Sequence, residues 1–322
     1  MSAPPDEFAW IARLRPLTLG DSRALGLADD AAVLPGRPGF DLVISKDAMV
    51  EGVHFLSQEA PGTIARRLLR ASLSDLAAKG AEPFGYFLMT AWPADRDGAW
   101  RDAFIRGLAT DGEAFGVALL GGDTVATPGP LTVSATVLGW VPEGRAVLRS
   151  GAKAGDALMV CGAIGDGWLG LRAARGEIAD PGGRLADRYR LPTPLLSLRQ
   201  CLRDHANAAA DVSDGLLADA LHVADASGLG LAIDLDRLPL SPAADAWLDE
   251  QPDPAAARLA LAAGGDDYAL VCAIAPPEGP FARAVQAYDV PVVAVGRFTK
   301  TAGLTVMANG IPIVPERLGW RH

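Results

Sequence analysis

Residues 84–124 read FGYFLMTAWPADRDGAWRDAFIRGLATDGEAFGVALLGGDT. Phe84–Trp92 is an apolar, aromatic-rich run of strand length. Ala99–Phe115 carries apolar residues at helical spacing, and Gly116 is its stop. Val117–Leu120 is a second apolar run, followed by GGDT. Strand, helix and strand in that order indicate a layered α/β or α+β domain. Working outward, Phe40–Ser45 (FDLVIS) reads as a preceding strand, Pro61–Lys79 as an amphipathic helix and Leu131–Val141 as a closing strand. Thr124–Pro142 contains no charge and spans 19 residues, a membrane-crossing length, but Pro128-Gly129-Pro130 followed by β-branched residues reads as a turn feeding a strand.

The apolar pattern lapses at Pro142–Asp156 (PEGRAVLRSGAKAGD), and a domain boundary is placed there, giving an N-terminal domain over 1–145 and a C-terminal domain over 146–322. The second half restarts with a strand at Ala157–Cys161 and a helix at Asp166–Arg175. A polar, Pro-containing excursion runs to Pro194. Helices at Leu195–Asn207 and Leu216–Ala226 flank DVSDGL, and strands follow at Gly230–Leu235, Tyr268–Ile274 and Val292–Val295.

Half of the 322 residues are apolar and 21% are charged, so the chain can bury a full core and disorder is excluded. A net charge of −10 argues against a nucleic-acid partner, which calls for a basic surface. Cys161, Cys201 and Cys272 show no metal or redox spacing and read as small buried hydrophobes in a reducing, cytoplasmic setting. MSAPPDEFAWIARLRP has no basic region followed by an apolar run, so no secretory leader is expected.

Several chemistries are excluded by absence. No Gly-Lys-Ser/Thr occurs and the lysines are only Lys46, Lys79, Lys153 and Lys300, which removes a Walker-type phosphate loop. There is no His-Glu-x-x-His and no GxSxG. Gly165-Asp166-Gly167-Trp168-Leu169-Gly170 matches GxGxxG, but the chain after it lacks the second strand and acidic residue of a dinucleotide site. It reads as a strand-to-helix turn with anion-binding N–H groups.

The informative pattern is a set of aspartates at the ends of apolar runs: Asp29-Asp30, Asp47, Asp75, Asp123, Asp211, Asp214 and Asp266-Asp267. Some could cap helices or shape turns. Asp47 within a strand and Asp75 between Leu73 and Leu76 have no such duty, and half-buried carboxylates persist when paired or metal-bound. Oxygen donors without His or Cys select Mg²⁺, which takes one or two carboxylates plus substrate phosphates. The pattern points to a polyphosphate site for ATP. His54 in VEGVHF, beside Val and Phe, reads more often as a satisfied core residue than as a site residue, Trp320 as a packing anchor or an aromatic stacking group, and Arg149 as a surface charge or a phosphate clamp.

DDAAV, DAMVEGVHF, SDLAAKGA, GGDT, GRAVLRSGAKAGD, DVSDGL, GGDDYAL and the terminal GW, in this order, resemble the thiamine-monophosphate kinases of the aminoimidazole-ribonucleotide synthetase superfamily. The resemblance implies a two-domain α/β (α+β) fold whose N-terminal domains dimerise through their sheets. It implies ATP and several Mg²⁺ ions in a cleft between domains. Asp30, Ser45, Asp47, Asp75, Asp123, Asp211 and Asp214 would hold the metals, with Asp47, Asp123 and Asp211 central to catalysis. Gly122, Asp123, Arg149 and Ser213 would contact ATP, and His54, Asp266 and Trp320 the thiamine monophosphate. The chain departs from the family at Lys46, where Thr is usual, and at Asp266, where Glu is usual. Related synthetases and maturation proteins carry a reactive Cys near the N-terminus or in the tail, and this chain carries neither.

Overall fold

The crossover Phe84–Thr124 needs a helix of its own length between two strands that run the same way, and the computed structural model contains that arrangement. The structure describes residues 7–320, so Met1–Asp6 of the stretch read against a leader lie outside the described residues. The chain separates into two compact units. One holds the chain up to Leu76 and again Ala81–Gly144, and the other holds Ala77–Gly80 and the chain from Arg145 onward.

In the first unit the elements are α1 (Glu7–Leu14), β1 (Phe40–Val50), α2 (Pro61–Ala78), β2 (Glu82–Trp92), α3 (Gly98–Phe115), β3 (Ala118–Ala126) and β4 (Thr132–Pro142). The sheet order is β1-β4-β2-β3, with β2 and β3 parallel and the other pairs antiparallel. The Asp97 carboxylate caps α3 through Trp100 N, and Gly116 ends it in the left-handed conformation at φ 65°. Helices α2 and α3 touch closely where a Cβ on Gly107 would fall 2.3 Å from Gly62 O. Between them, buried Asp111 is held by Arg66 at 3.0 Å and Arg70 at 2.5 Å. Trp10, Trp92 and Phe104 form the aromatic core, with Trp92 edge-on to both others.

The GGDT segment belongs to β3 and does not follow it. Pairing with β2 continues from Leu88–Gly122 through Trp92–Ala126, because Gly122 leaves no side chain to collide with the neighbouring backbone.

The second unit comprises β5 (Ala157–Cys161), α4 (Asp166–Ala174), α5 (Arg184–Arg190), α6 (Arg199–His205), β6 (Ala206–Asp211), α7 (Leu216–Ala226), β7 (Gly230–Asp234), α8 (Pro242–Asp249), α9 (Pro254–Ala262), β8 (Leu270–Ile274), α10 (Gly279–Gln286), β9 (Val292–Thr299), β10 (Leu304–Ala308) and β11 (Ile311–Ile313). Its seven strands run β11-β10-β7-β9-β5-β8-β6, a mixed sheet in which only β10 and β7 pair in parallel among the described residues. Leu216, Leu217, Ala220 and Val223 of α7 pack into a core with Val212, Val271 and Phe298.

The expected helix Leu195–Asn207 ends at His205, and Ala206–Asp211 is strand β6. ANAAAD favours helix locally, yet antiparallel pairing with the fully buried β8 overrides that preference. The polar excursion before Pro194 contains α5, which buries Leu185 and Tyr189. The three cysteines are buried and unpaired, as read from their spacing. Among the described residues no helix is long and apolar enough to cross a membrane, and the stretch 124–142 ends in β4.

Candidate active site

Strand alternation sorts the first unit's candidates. Side chains of β1 point alternately to opposite faces, so Ser45 and Asp47 share one face and Lys46 takes the other. Helix α2 lies against the Ser45–Asp47 face, where Ser45 Oγ donates a short hydrogen bond to Asp75 Oδ2. Ser72, three residues before Asp75 on the same helical face, hydrogen-bonds Asp47. Burial, together with the neighbouring Asp75 charge, pushes the Asp47 carboxyl up to about 6, against the opposing effect of Ser72. Two carboxylates, Asp47 and Asp75, and two hydroxyls, Ser45 and Ser72, thus converge from a strand and a helix.

His54 sits in the turn after β1, half-buried, and its Nδ1 accepts the Val50 N–H at 3.1 Å. Its carbonyl accepts from buried Arg67 at 3.2 Å. Glu51 of the same turn accepts from Arg96 at 2.8 Å and from Leu131 N at 3.2 Å, which ties the VEGVHF turn to β4.

Asp123 lies on the opposite face from Asp47. The register runs Ala48–Ser134–Met89–Asp123 across the four strands, so Asp123 shares its face with Lys46, two residues before Ala48. There Asp30, Lys46, Gly122 and Asp123 line one cavity of about 530 Å³ whose lining also includes Leu27, Phe87 and Met89. A Cβ on Gly122 would stand 1.9 Å from Leu88 O, so no other residue fits that backbone. Asp30 is exposed beside Asp29, whose Oδ1 accepts the Asp30 N–H at 2.8 Å.

In the second unit five candidates converge on one loop. Strand β6 delivers Asp211, the loop carries Ser213 and Asp214, and α7 begins at Leu216. Buried Asp219, in the first turn of α7, accepts the N–H groups of Ser213, Asp214 and Gly215 at 3.0, 3.0 and 3.1 Å on one oxygen. Burial raises the Asp219 carboxyl to about 6, with the Asp214 charge adding to it and the backbone donors opposing it. Asp266 N donates to Ser213 O at 2.8 Å, and Asp266 and Tyr268 both hold left-handed backbone, φ 63° and 51°. Such conformations persist where surrounding contacts over-determine them, here the Ser213 pairing and the Tyr268 hydroxyl on Asp266 at 3.2 Å. The tail closes the group: Trp320 N donates to Asp214 O at 2.8 Å while its indole stays 52% exposed.

Arg149 is placed apart from that loop. The preceding Leu148 carbonyl accepts from Ala209 N, and the Arg149 carbonyl faces Ser227 beyond the C-terminal end of α7, leaving its side chain exposed.

The N–H groups of the GxGxxG turn already have an acceptor. Fully buried Asp267 accepts from Gly165 N and Gly167 N at 2.9 Å, and burial pushes this carboxyl up to about 8. A Cβ on Gly167 would lie 2.2 Å from Asp266 O and one on Gly170 2.1 Å from Leu185 O, so these glycines serve close packing. Sequence reasoning missed Ser72 and Asp219, and it named Asp267 among the aspartates without the packing role that the structure gives it. Ser72 stands three residues from Asp75 and Asp219 five from Asp214, and an acid in a helix's first turn was the readable signal for Asp219.

Among the described residues no three His, Cys, Asp or Glu side chains gather as a ready metal cage. The first cluster offers two carboxylates and two hydroxyls, an oxygen-only set with the number of carboxylates that Mg²⁺ takes from protein when phosphates complete its shell. The donors fit that ion.

A two-unit α/β chain with oxygen-only clusters on each unit matches one class. Family models described as AIR synthase related protein, N-terminal domain and C-terminal domain, match residues 28–141 and 153–309. Thiamine-monophosphate kinase from Caulobacter vibrioides is 59% identical over 100% of this chain and 92% of its own length. The crystal structure of thiamine-monophosphate kinase from Stenotrophomonas maltophilia superposes with a TM-score of 0.83 at 36% identity, covering 95% of this chain and 98% of that one. AaThiL complexed with AMPPCP and TMP gives a TM-score of 0.77 at 26% identity, covering 97% and 96%. The chain belongs to the thiamine-monophosphate kinase family.

Proposed function

We propose that this chain transfers the γ-phosphoryl group of ATP directly to thiamine monophosphate, giving thiamine diphosphate and ADP. The observation that carries the reading is the convergence of Ser45, Asp47 and Asp75 in a chain 59% identical along its whole length to a thiamine-monophosphate kinase. The AaThiL complex with AMPPCP and TMP supports the same pair of ligands. Residues 1–145 and 146–322 are the two functional domains, and a homodimer formed through the N-terminal sheets, acting in the cytoplasm, completes the proposal.

The acceptor phosphate has a second pKa of about 6, so it is largely dianionic at neutral pH and needs no general base. The barrier is the approach of two polyanions in line, which positioning and charge neutralisation lower. Asp30, Ser45, Asp47, Asp75, Asp123, Asp211 and Asp214 would hold Mg²⁺. Bound there, the ions would offset phosphate charge and polarise the phosphoryl oxygens. Gly122 lets backbone approach the nucleotide, and Asp123, Arg149 and Ser213 contact it. Asp219 fixes the Ser213–Gly215 backbone by taking its three N–H groups. His54, Asp266 and the exposed indole of Trp320 receive the thiamine moiety, and Asp266 reaches one methylene less than the Glu usual in the family.

A coupled assay of ADP release tests the reading. ADP should form with ATP, Mg²⁺ and thiamine monophosphate, in equal amount to thiamine diphosphate. Release at the same rate without the acceptor would sink it.

A further inference from the structure

The cavity on the Lys46 face carries charges of both signs. Asp29, Asp30 and Asp123 line it, and Lys46 is the one cationic side chain that does so among the described residues. Although three carboxylates share the space, the Lys46 ammonium has no ion-pair or hydrogen-bond partner among the described residues, and the residue is exposed. An ammonium left unpaired beside carboxylates is available to an incoming anion. Apolar side chains share the lining: Phe87 and Met89 rise from the same sheet face as Lys46, and Leu27 joins them. A volume of about 530 Å³ lined by both apolar and charged side chains suits a ligand with a flat aromatic part and an anionic part.

We propose that Lys46 binds the polyphosphate of the nucleotide in this cavity, supplying a covalently fixed positive charge where the neighbouring carboxylates supply none. The inference rests on the phosphoryl-transfer function proposed above and adds a residue to it. The three carboxylates repel a polyanion, and divalent cations relieve that only when they are loaded. Lys46 is present in the metal-free protein. Its ammonium is a compact point charge with three donors, which suits non-bridging phosphate oxygens without demanding a planar arrangement. Its row across the sheet runs through Thr136 on β4 and Phe87 on β2 to Gly121 on β3, so Lys46 shares its face with an aromatic ring that also lines the cavity.

The consequence is measurable without turnover. Wild type, Lys46→Thr, Lys46→Met and Lys46→Arg are titrated calorimetrically with ATP in excess EDTA, then with adenosine and with thiamine monophosphate. Loss of one charge-assisted contact should weaken metal-free ATP binding about 10- to 100-fold in the Thr and Met variants. The Arg variant should stay near wild type, and adenosine, which lacks phosphates, should bind all four proteins equally. ATP affinities within twofold across the set would overturn the proposal while leaving the kinase reading intact. A loss for thiamine monophosphate in place of ATP would overturn it too, since Lys46 would then serve the acceptor. Wild type that binds no ATP even with Mg²⁺ would remove both the kinase reading and the role of Lys46.

Discussion

Replacing Asp219 by Ala removes the acceptor shared by three backbone N–H groups and tests whether one carboxylate organises the second unit's loop. The Gly215 bond is buried, so its N–H would lose its partner without water to replace it, at about 1–3 kcal/mol. The Ser213 and Asp214 bonds are partly exposed, and water can take over, so each loses about 0.5–1.5 kcal/mol. Removing a carboxylate that burial disfavours returns part of this. A net of about 2–4 kcal/mol remains, and it is local to the loop. Hydrogen exchange measured by mass spectrometry on a peptide spanning 212–220 should therefore quicken about 30- to 1000-fold, at 1.4 kcal/mol per decade. Asp219→Asn keeps an oxygen at the same reach and should recover most of the protection. KM for ATP should rise in the Ala variant as Ser213 is released. Exchange within threefold of wild type, with ATP kinetics unchanged, would refute the idea that Asp219 holds this loop.

Three further outcomes are expected. Asp47→Asn and Asp123→Asn should remove turnover at limiting Mg²⁺ with circular dichroism unchanged, and Asp47→Asn should not lower stability, because it relieves repulsion from Asp75; near-normal activity in either variant would strike that residue from the metal set. Trp320→Ala keeps the backbone bond to Asp214 and should raise KM for thiamine monophosphate about 5- to 150-fold, by analogy with base–aromatic stacking, with KM for ATP and the melting temperature nearly constant. A lowered melting temperature with both KM values drifting together would make the indole a packing anchor. Asp267, raised from 3.8 to about 8, holds its proton in the folded chain and releases it on unfolding, so its contribution to stability is full below about pH 4 and is lost as pH rises through about 8. Urea midpoints between pH 5 and 8 should fall less steeply in Asp267→Asn, and parallel slopes would contradict the assignment.

The linear chain determined the types of element and the chemistry. Alternating apolar runs, Gly116 as a helix stop and the order of the Asp-bearing motifs are local features, readable because periodicity and capping act over a few residues. Oxygen donors, few lysines and no Walker loop likewise followed from composition. Tertiary structure alone decided which of those residues meet. Asp47 and Asp123 look equivalent as acids near apolar runs, yet the four-strand register sends them to opposite faces of one sheet. The helix expected through Asn207 became strand at Ala206 because β8, a strand distant in sequence, offered hydrogen bonds that local propensity cannot anticipate. Asp267 and Asp219 were invisible as organisers for the same reason. The N–H groups that Asp267 satisfies lie about a hundred residues away in sequence, and those of Asp219 converge only after α7 and its loop have folded together.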